Sequence, residues 1–205
     1  MIIKQYVLGP ISANNYLVID EKSKEAVLID CSEKSQKLLD DIKNLKAKVK
    51  YILLTHGHFD HVMGVNDMKK ELGAKVLIHK KDVSQMDMTK SIIATFGFSI
   101  DENPSYDEFV DENSDLSIGD TKIKVIPTPG HTEGGVCYLI DGKLFSGDTL
   151  FRDYVGRTDL PGGSFENLKT SIKDVLFKLD DKTEVFPGHN EMTTIGYEKK
   201  YNEII

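Results

Sequence analysis

The segment THGHFDH, residues 55–61, places three histidines and one aspartate within a single short turn. Imidazole nitrogens and carboxylate oxygens are ligands that zinc and related divalent ions accept. His56 and His58 are two positions apart and can point to the same side of an extended segment. Asp60 and His61 follow at the predicted start of a helix. Because a catalytic zinc ion needs only three protein ligands, four clustered candidates predict one ion and part of the site of another.

Three further candidate ligands each follow a glycine at the predicted end of a strand. They are His131 in TPGHTEGG, Asp148 in FSGDTL and His189 in FPGHNE. Glycine allows a sharp turn and a close approach of the backbone. Taken singly, each of these residues is explained equally by an ordinary turn residue or a solvated aspartate, and it is the repeated glycine-ligand setting that favours ligands. For THGHFDH the alternative is a polar surface turn with incidental histidines, which the density of the cluster disfavours. The remaining histidine, His79, has no flanking glycine and is interpreted as structural or as a surface residue.

Short runs of β-branched and aromatic residues, separated by turns, predict a β-rich chain with several helices. The predicted strands are IIKQYVL, NNYLVID, EAVLID, VKYILLT, AKVLIH, TKIKVIPT, GVCYLID, KLFSGD and TEVFPGH. Helices are predicted after Ser32, from Val62 to Leu72 and after Ser164, with a closing helix in TTIGYEKKYNEII. Residues 81–115 have no clear pattern, and we expect a surface loop or short helices that cover the site.

Composition predicts one globular domain spanning residues 1–205. The chain has 40% hydrophobic and 29% charged residues and a net charge of −7, which disfavours a nucleic-acid partner. No apolar run reaches the length of a membrane span, and MIIKQYVLGP is too short and too quickly polar for a signal peptide. Two cysteines give no disulfide framework. We therefore expect a soluble cytoplasmic protein without a membrane partner, and the oligomeric state stays open.

Two passages share one pattern: a strand ending in aspartate, a turn, and a second strand ending in aspartate. They are NYLVIDEKSKEAVLIDCS, which contains Asp30, and CYLIDGKLFSGDTL, which contains Asp148. Hairpins resemble one another, so the match alone does not establish a repeat. The sharper interpretation is two similar β-rich halves, about residues 1–120 and 121–205, that face each other with helices outside.

Taken together, the ordered set His56-x-His58-x-Asp60-His61, His131, Asp148 and His189 resembles the metallo-β-lactamase-fold hydrolase superfamily. The resemblance covers nearly the whole chain. Within the superfamily the chain is most similar to the glyoxalase II (hydroxyacylglutathione hydrolase) group, through GPISANNYLVID, TPGHTEGGVCYLIDGKLFSGDTLF and VGRTDLPGGS. The resemblance implies an α+β fold, a four-layer αββα sandwich with the site at one edge of its two sheets.

The resemblance also implies a division of the ligands between two metal ions. His56, His58 and His131 would bind one ion, and Asp60, His61 and His189 would bind the second. Asp148 would bridge the two ions, and Asp30 would contact a ligand residue without binding a metal ion itself. Zinc is the expected metal, with iron or manganese possible.

The reaction implied by this resemblance is hydrolysis of a small hydroxyacylglutathione-type thioester by a hydroxide that bridges the two ions. Asp148 and Asp60 are the implied catalytic carboxylates, the latter also as a possible proton acceptor. Arg157, in GRTD, is a candidate for binding a substrate carboxylate, and a salt bridge to Asp159 is the competing interpretation. Full-length glyoxalase II enzymes carry a C-terminal helical domain that this chain is expected to lack, which leaves the acyl group and the thiol carrier open.

Two other functions stay open from the sequence. A persulfide dioxygenase would need one iron held by His56, His131 and Asp148, and it also carries GRTD-like residues. The PGGS segment and the complete second ligand set favour the hydrolase. A non-catalytic metal-binding module is the second alternative, although a structural zinc site is closed by four ligands and seven candidates leave room for substrate.

Overall fold

The computed structural model describes residues 1–205 as two six-stranded sheets. The first sheet has the order β1 to β6, formed by Ile2–Leu8, Ala13–Ile19, Glu25–Ile29, Lys48–Leu53, Lys75–Ile78 and Glu108–Phe109. The second has the order β14-β13-β10-β9-β8-β7, formed by Thr193–Thr194, Glu184–Pro187, Lys143–Gly147, Val136–Ile140, Thr121–Pro127 and Leu116–Ile118. A small hairpin, β11 (Leu150–Phe151) with β12 (Tyr154–Val155), follows Asp148.

Seven α-helices flank these sheets. They are α1 (Gln36–Leu45), α2 (Phe59–Val62), α3 (Val65–Leu72), α4 (Val83–Asp87), α5 (Thr89–Thr95), α6 (Phe165–Thr170) and α7 (Ile195–Tyr201). A 3₁₀ turn at Lys80–Asp82 precedes α4, and a π-helical turn at Ser171–Val175 with a 3₁₀ turn at Leu176–Lys178 follows α6. None of the helices is long and apolar enough to cross a membrane.

Alternation along the strands produces three separate apolar cores. In β2, Leu17 and Ile19 pack with α1 and α3 residues, whereas Tyr16 and Val18 pack with the second sheet. This is the period of two expected when both faces of a strand are covered. A third core joins the outer face of the second sheet to α6 and α7. Three cores between four layers establish the αββα sandwich and the α+β class predicted from the sequence.

The two sheets repeat one connection. In the first sheet, antiparallel β1, β2 and β3 are followed by β4, which runs parallel to β3 after the α1 crossover. In the second sheet, antiparallel β8, β9 and β10 are followed by β13, which runs parallel to β10 after the α6 segment. The carboxyl ends of β3 and β4, and of β10 and β13, therefore lie side by side, which places the following turns at one edge of each sheet.

Several helix boundaries differ from the predictions. Ser35, rather than Ser32, caps α1 by accepting a hydrogen bond from the Leu38 N–H. The backbone and hydroxyl of Ser32 are instead bonded to the Asn15 side chain. The predicted helix from Val62 to Leu72 is split at Gly64, because Gly64 lies against the Glu33 backbone and its N–H donates to the Cys31 carbonyl.

The long helix predicted after Ser164 is also shorter than expected. Ser164 does cap α6, but regular α-helical bonding ends at Thr170 and a π-helical turn follows. Val175, which lies in this π-helical turn, is 40% exposed. Residues 81–115 form short helices α4 and α5, the edge strand β6 and connecting turns.

Candidate metal centre

The candidate ligands all lie in the connections that follow the carboxyl ends of strands. His56, His58, Asp60 and His61 follow β4, and the last two belong to the short helix α2. His131 lies between β8 and β9, Asp148 follows β10, and His189 follows β13. The four connections that carry ligands therefore come from both sheets, and their side chains meet at one edge of the sandwich.

Hydrogen bonds between the sheets hold this edge together. The Val136 N–H donates to the Thr55 carbonyl over 2.9 Å, and the Asn14 N–H donates to the Gly188 carbonyl over 2.7 Å. The Asn14 side chain also donates to the carbonyls of Pro187 and Asn190, on either side of His189. Position 14 was not singled out by the sequence, because its partners lie more than 170 residues away.

The seven candidate ligands form three overlapping groups whose ligand atoms lie within 4.8 Å of one another. The groups are His56 with His58 and His131, His56 with His61 and Asp148, and Asp60 with His61 and His189. The sets that the sequence resemblance implied are thus both brought together in space. The residue excluded earlier, His79, lies outside these groups, and its ring accepts a hydrogen bond from the Lys81 N–H at 3.4 Å.

Asp148 contacts both implied ligand sets. Its Oδ2 atom lies 3.6 Å from Nε2 of His131 and 3.6 Å from Nε2 of His189. Its Oδ1 atom lies 3.3 Å from Nε2 of His61. The Asp60 carboxylate is 3.2 Å from Nε2 of both His61 and His189. One carboxylate therefore stands between the two groups of imidazoles.

These separations fit metal coordination. Ligand atoms about 2.0–2.2 Å from one tetrahedral ion lie roughly 3.3–3.6 Å apart, and the carboxylate-imidazole distances fall near that range. Four buried atoms of the cluster have no hydrogen-bond partner: Nε2 of His56, His58 and His61, and Oδ1 of Asp148. Buried polar atoms without partners are costly. The nitrogen and oxygen donors, held close and unsatisfied, fit divalent cations.

Partners behind the ligands orient the imidazole rings. Nδ1 of His61 lies 2.8 Å from Oδ2 of Asp30, and Nδ1 of His131 lies 2.7 Å from the Arg157 carbonyl oxygen. With the proton on Nδ1 in each ring, Nε2 presents its lone pair to the centre. Asp30 in turn accepts hydrogen bonds from the Thr55 N–H and hydroxyl. Its backbone is left-handed, with φ of 58°, at the end of β3.

Burial keeps part of the cluster in the protonation state that binds metal. Burial lowers the pKa of His56 well below its ordinary value, and burial with the neighbouring His131 lowers the pKa of His58 to about 4. Burial acts to raise the pKa of Asp148, but the neighbouring imidazoles of His61, His131 and His189 together outweigh it, and the net shift is downward. Neutral imidazole and ionised carboxylate are the forms that donate electron pairs to a cation.

The exposed end of the site carries Arg157. Its guanidinium makes a bidentate salt bridge to Asp159, with nitrogen-oxygen distances of 2.8 and 2.7 Å. The Arg157 side chain is 61% exposed. The structure thus contains the Asp159 pair that was the competing interpretation, while the Arg157 backbone carbonyl supports His131. Substrate binding by the guanidinium stays a prediction.

A family model described as the metallo-beta-lactamase superfamily matches residues 8–189, most of the chain. The chain belongs to the metallo-β-lactamase superfamily. Its site residues occupy the turns expected from that resemblance, and the family assignment from sequence is confirmed. Membership places the chain among metal-dependent hydrolases, and the clustered histidines and aspartates supply the ligand atoms such an activity requires.

Relatives within the metallo-β-lactamase superfamily span the full chain. A protein from Aquifex aeolicus is 40% identical and covers 98% of this chain and 96% of its own length. The hydroxyacylglutathione hydrolase GloC from Haemophilus influenzae is 31% identical, covering 96% of this chain and 95% of its own.

Solved structures of the superfamily align equally completely. The BLEG-1 B3 metallo-beta-lactamase has a TM-score of 0.89 and 34% identity, covering 98% of each chain. The protein TTHA1623, solved in a di-iron-bound form, has a TM-score of 0.88 and 35% identity, covering 98% of this chain and 100% of its own. Similar metallo-β-lactamase-fold chains therefore carry different activity names, and one holds two iron ions.

Proposed function

We propose that the protein hydrolyses small thioesters of the hydroxyacylglutathione type, using two divalent metal ions. The observation that carries this proposal is the contact of Asp148 with both imidazole groups, at 3.3–3.6 Å. A bridging carboxylate between two complete ligand sets is the arrangement expected of a two-ion hydrolase. The named activity of the GloC relative, at 31% identity over nearly the whole chain, supports the choice of substrate class.

The chain's own residues would bind the two ions in two sets. His56, His58 and His131 would hold one ion, and Asp60, His61 and His189 the other, with Asp148 between them. When bound, such a pair supplies Lewis acidity and lowers the pKa of a water molecule toward neutrality. We propose zinc as the metal, with iron and manganese as alternatives, because histidine and aspartate ligands accept all three.

Other groups of the site orient the ligand rings and accept a proton. Asp30 and the Arg157 carbonyl keep the rings of His61 and His131 turned toward the centre. We assign the uptake of the proton released from water to Asp60, whose carboxylate also faces the partly exposed His189 at 3.2 Å. His189 is 20% exposed, more than the other ligands with which it is paired, so this side is open to substrate.

A thioester suits this site because its leaving group departs without being protonated by a strong acid. A thiol has a pKa near 8.5, so the departing thiolate is stable without a strong general acid. The seven titratable groups at the centre are all placed as ligands, and none of them is a dedicated general acid for the leaving group. A poor leaving group such as an amine would need that acid.

The main experiment combines metal analysis with a substrate panel. We expect two divalent ions per chain and hydrolysis of glutathione thioesters, which a chelator abolishes and added zinc restores. Glutathione persulfide tests the dioxygenase alternative in the same preparation. One iron per chain with oxygen uptake on the persulfide would overturn the proposal, and two bound ions without turnover of any thioester or ester would indicate a non-catalytic module.

Arg157 is the proposed contact for a carboxylate of the thiol carrier. Arg157→Ala is expected to raise KM for glutathione thioesters roughly two- to fivefold, the range of an ion pair exposed to water, and to leave kcat unchanged. Asp159→Ala is the matched variant, because it removes the partner of the guanidinium and leaves Arg157 free for substrate. Steady-state kinetics on thioesters with charged and neutral carriers measures both. An unchanged KM in Arg157→Ala removes this residue from the substrate site.

A further inference from the structure

Asp82 is a buried carboxylate that the proposed ligand set does not use. It ends the 3₁₀ turn at Lys80–Asp82, directly before α4, and its side chain is fully buried. It is not part of any of the three ligand groups. Its sequence neighbourhood gave no prediction, because residues 81–115 had no recognisable pattern.

The Asp82 carboxylate joins the two loops that carry the three-histidine set. Its Oδ2 atom accepts hydrogen bonds from the Gly57 N–H at 2.9 Å and from the Thr132 hydroxyl at 2.7 Å. Its Oδ1 atom accepts from the Gly134 N–H at 2.6 Å. Gly57 lies between His56 and His58 in the chain, and Thr132 follows His131 directly. One side chain is therefore bonded to both loops, at sites adjacent to all three imidazoles.

The loops are shaped for this close approach. A methyl group at position 57 would overlap the Asp82 carbonyl oxygen and lie 3.0 Å from Cβ of Gln85. A methyl group at position 134 would lie 2.6 Å from Oδ1 of Asp82 and 2.8 Å from its backbone nitrogen. Neither position can carry a side chain without moving the turn. The glycines of HGH and EGG thus permit contact with Asp82 as well as a tight turn.

The three-histidine set is sensitive to the relative placement of these loops. Nδ1 of His58 lies 2.8 Å from Nε2 of His131, across the boundary between the loops. Rings from different loops keep such a separation only if both backbones are held. All three hydrogen bonds to Asp82 come from neutral donors.

We propose that Asp82 is a positioning residue that fixes the His56-His58 loop against the His131 loop and thereby sets the geometry of one metal site. This inference depends on one part of the proposed function, the binding of metal ions, and not on the choice of substrate. Asp82 acts through Gly57, Thr132 and Gly134, and it touches neither ion nor substrate. Loss of its hydrogen bonds should affect the three-histidine site and leave the Asp60-His61-His189 site unchanged.

The test is metal binding by Asp82→Asn, measured on metal-free protein by competition with a chromophoric chelator. The amide nitrogen cannot accept a hydrogen bond, so at least one of the three donors loses its partner. We expect zinc affinity at one of the two sites to fall about 10- to 100-fold, as for other residues that support ligands, and the other site to keep its affinity. The visible spectrum of cobalt-substituted protein should change for one ion only.

Glu198→Gln is the matched control. Glu198 is also a buried carboxylate with neutral donors, from the Thr193 hydroxyl, the Asp153 N–H and the Asn202 amide, but it contacts neither histidine loop. We expect it to lower thermal stability while both zinc affinities and the cobalt spectrum stay as in the parent protein. If Asp82→Asn behaves in the same way, the proposed positioning role is wrong.

A milder variant covers the case in which Asp82→Asn does not fold. Thr132→Val removes one donor, retains the side-chain shape and leaves the Gly57 and Gly134 bonds in place. We expect a smaller loss of zinc affinity at the same single site and the same localised spectral change. Full zinc affinity at both sites in this variant overturns the proposal, as does a parent protein that binds no zinc. Because no readout uses thioester turnover, a wrong substrate class leaves the result intact.

Discussion

Asparagine at position 148 is expected to lower kcat/KM for thioester hydrolysis by roughly 10³-fold, corresponding to about 4 kcal/mol of lost Lewis-acid stabilisation. Asp148 is the carboxylate that contacts both imidazole groups, and its Oδ1 atom has no hydrogen-bond partner within the protein. An amide is neutral and cannot offset the repulsion between two cations. Metal content should fall below two ions per chain, as measured on dialysed protein by elemental analysis.

Asp141→Asn is the control for this substitution. Asp141 lies in the β9–β10 hairpin, on the strand pair that leads to Asp148, and its side chain is exposed. Its φ of 49° is left-handed, a conformation that asparagine adopts readily. Activity and metal content should match those of the parent protein. Two tightly bound ions in Asp148→Asn would contradict the bridging role.

Alanine at position 188 is expected to reduce activity about 100-fold, although Gly188 is not a ligand. Its added methyl group would overlap Oδ1 of Asp148 and lie 2.9 Å from Cε1 of His61, so one or both ligands must move. A displacement of about 1 Å at reacting groups costs activity on this order. Kinetics and metal content together measure the effect, and we expect kcat to fall together with the occupancy of the second site.

Gly73→Ala separates this local effect from general destabilisation. Gly73 ends α3 with φ of 61°, and no atom lies within 4 Å of an added methyl group. The substitution strains the backbone far from the ligands and should lower the melting temperature with activity retained at 25 °C. Normal activity in Gly188→Ala would show that Asp148 and His61 tolerate the displacement and that the close approach is unimportant.

The convergence of the candidate ligands could be predicted because each has a local signal. His131, Asp148 and His189 each follow a glycine after a strand, and the THGHFDH cluster is dense enough to recognise by itself. The four-layer fold was predictable from the family resemblance and from strands that alternate with helices. In β2, the alternation of Leu17 and Ile19 with Tyr16 and Val18 shows why the pattern corresponds to two buried faces.

Residues that act over long sequence separations could not be predicted. Asp82 accepts hydrogen bonds from positions 50 and 52 residues later and from Gly57 before it, so its neighbours in the chain give no sign of its role. Ser32 resembled a helix cap, but its bonds to Asn15 compete for it and Ser35 caps the helix instead. Tertiary contacts override local preference in both cases.

The location of the candidate centre in turns, outside the strands, has a consequence for how substrate preference changes among related proteins. Insertions or substitutions between β12 and α6, where Arg157 lies, or at exposed positions of α4 and α5 need not disturb either sheet. Selection can therefore alter what reaches the candidate centre while the ligand-bearing framework is inherited unchanged. The same separation makes those connections the natural targets for engineering a new specificity into this scaffold.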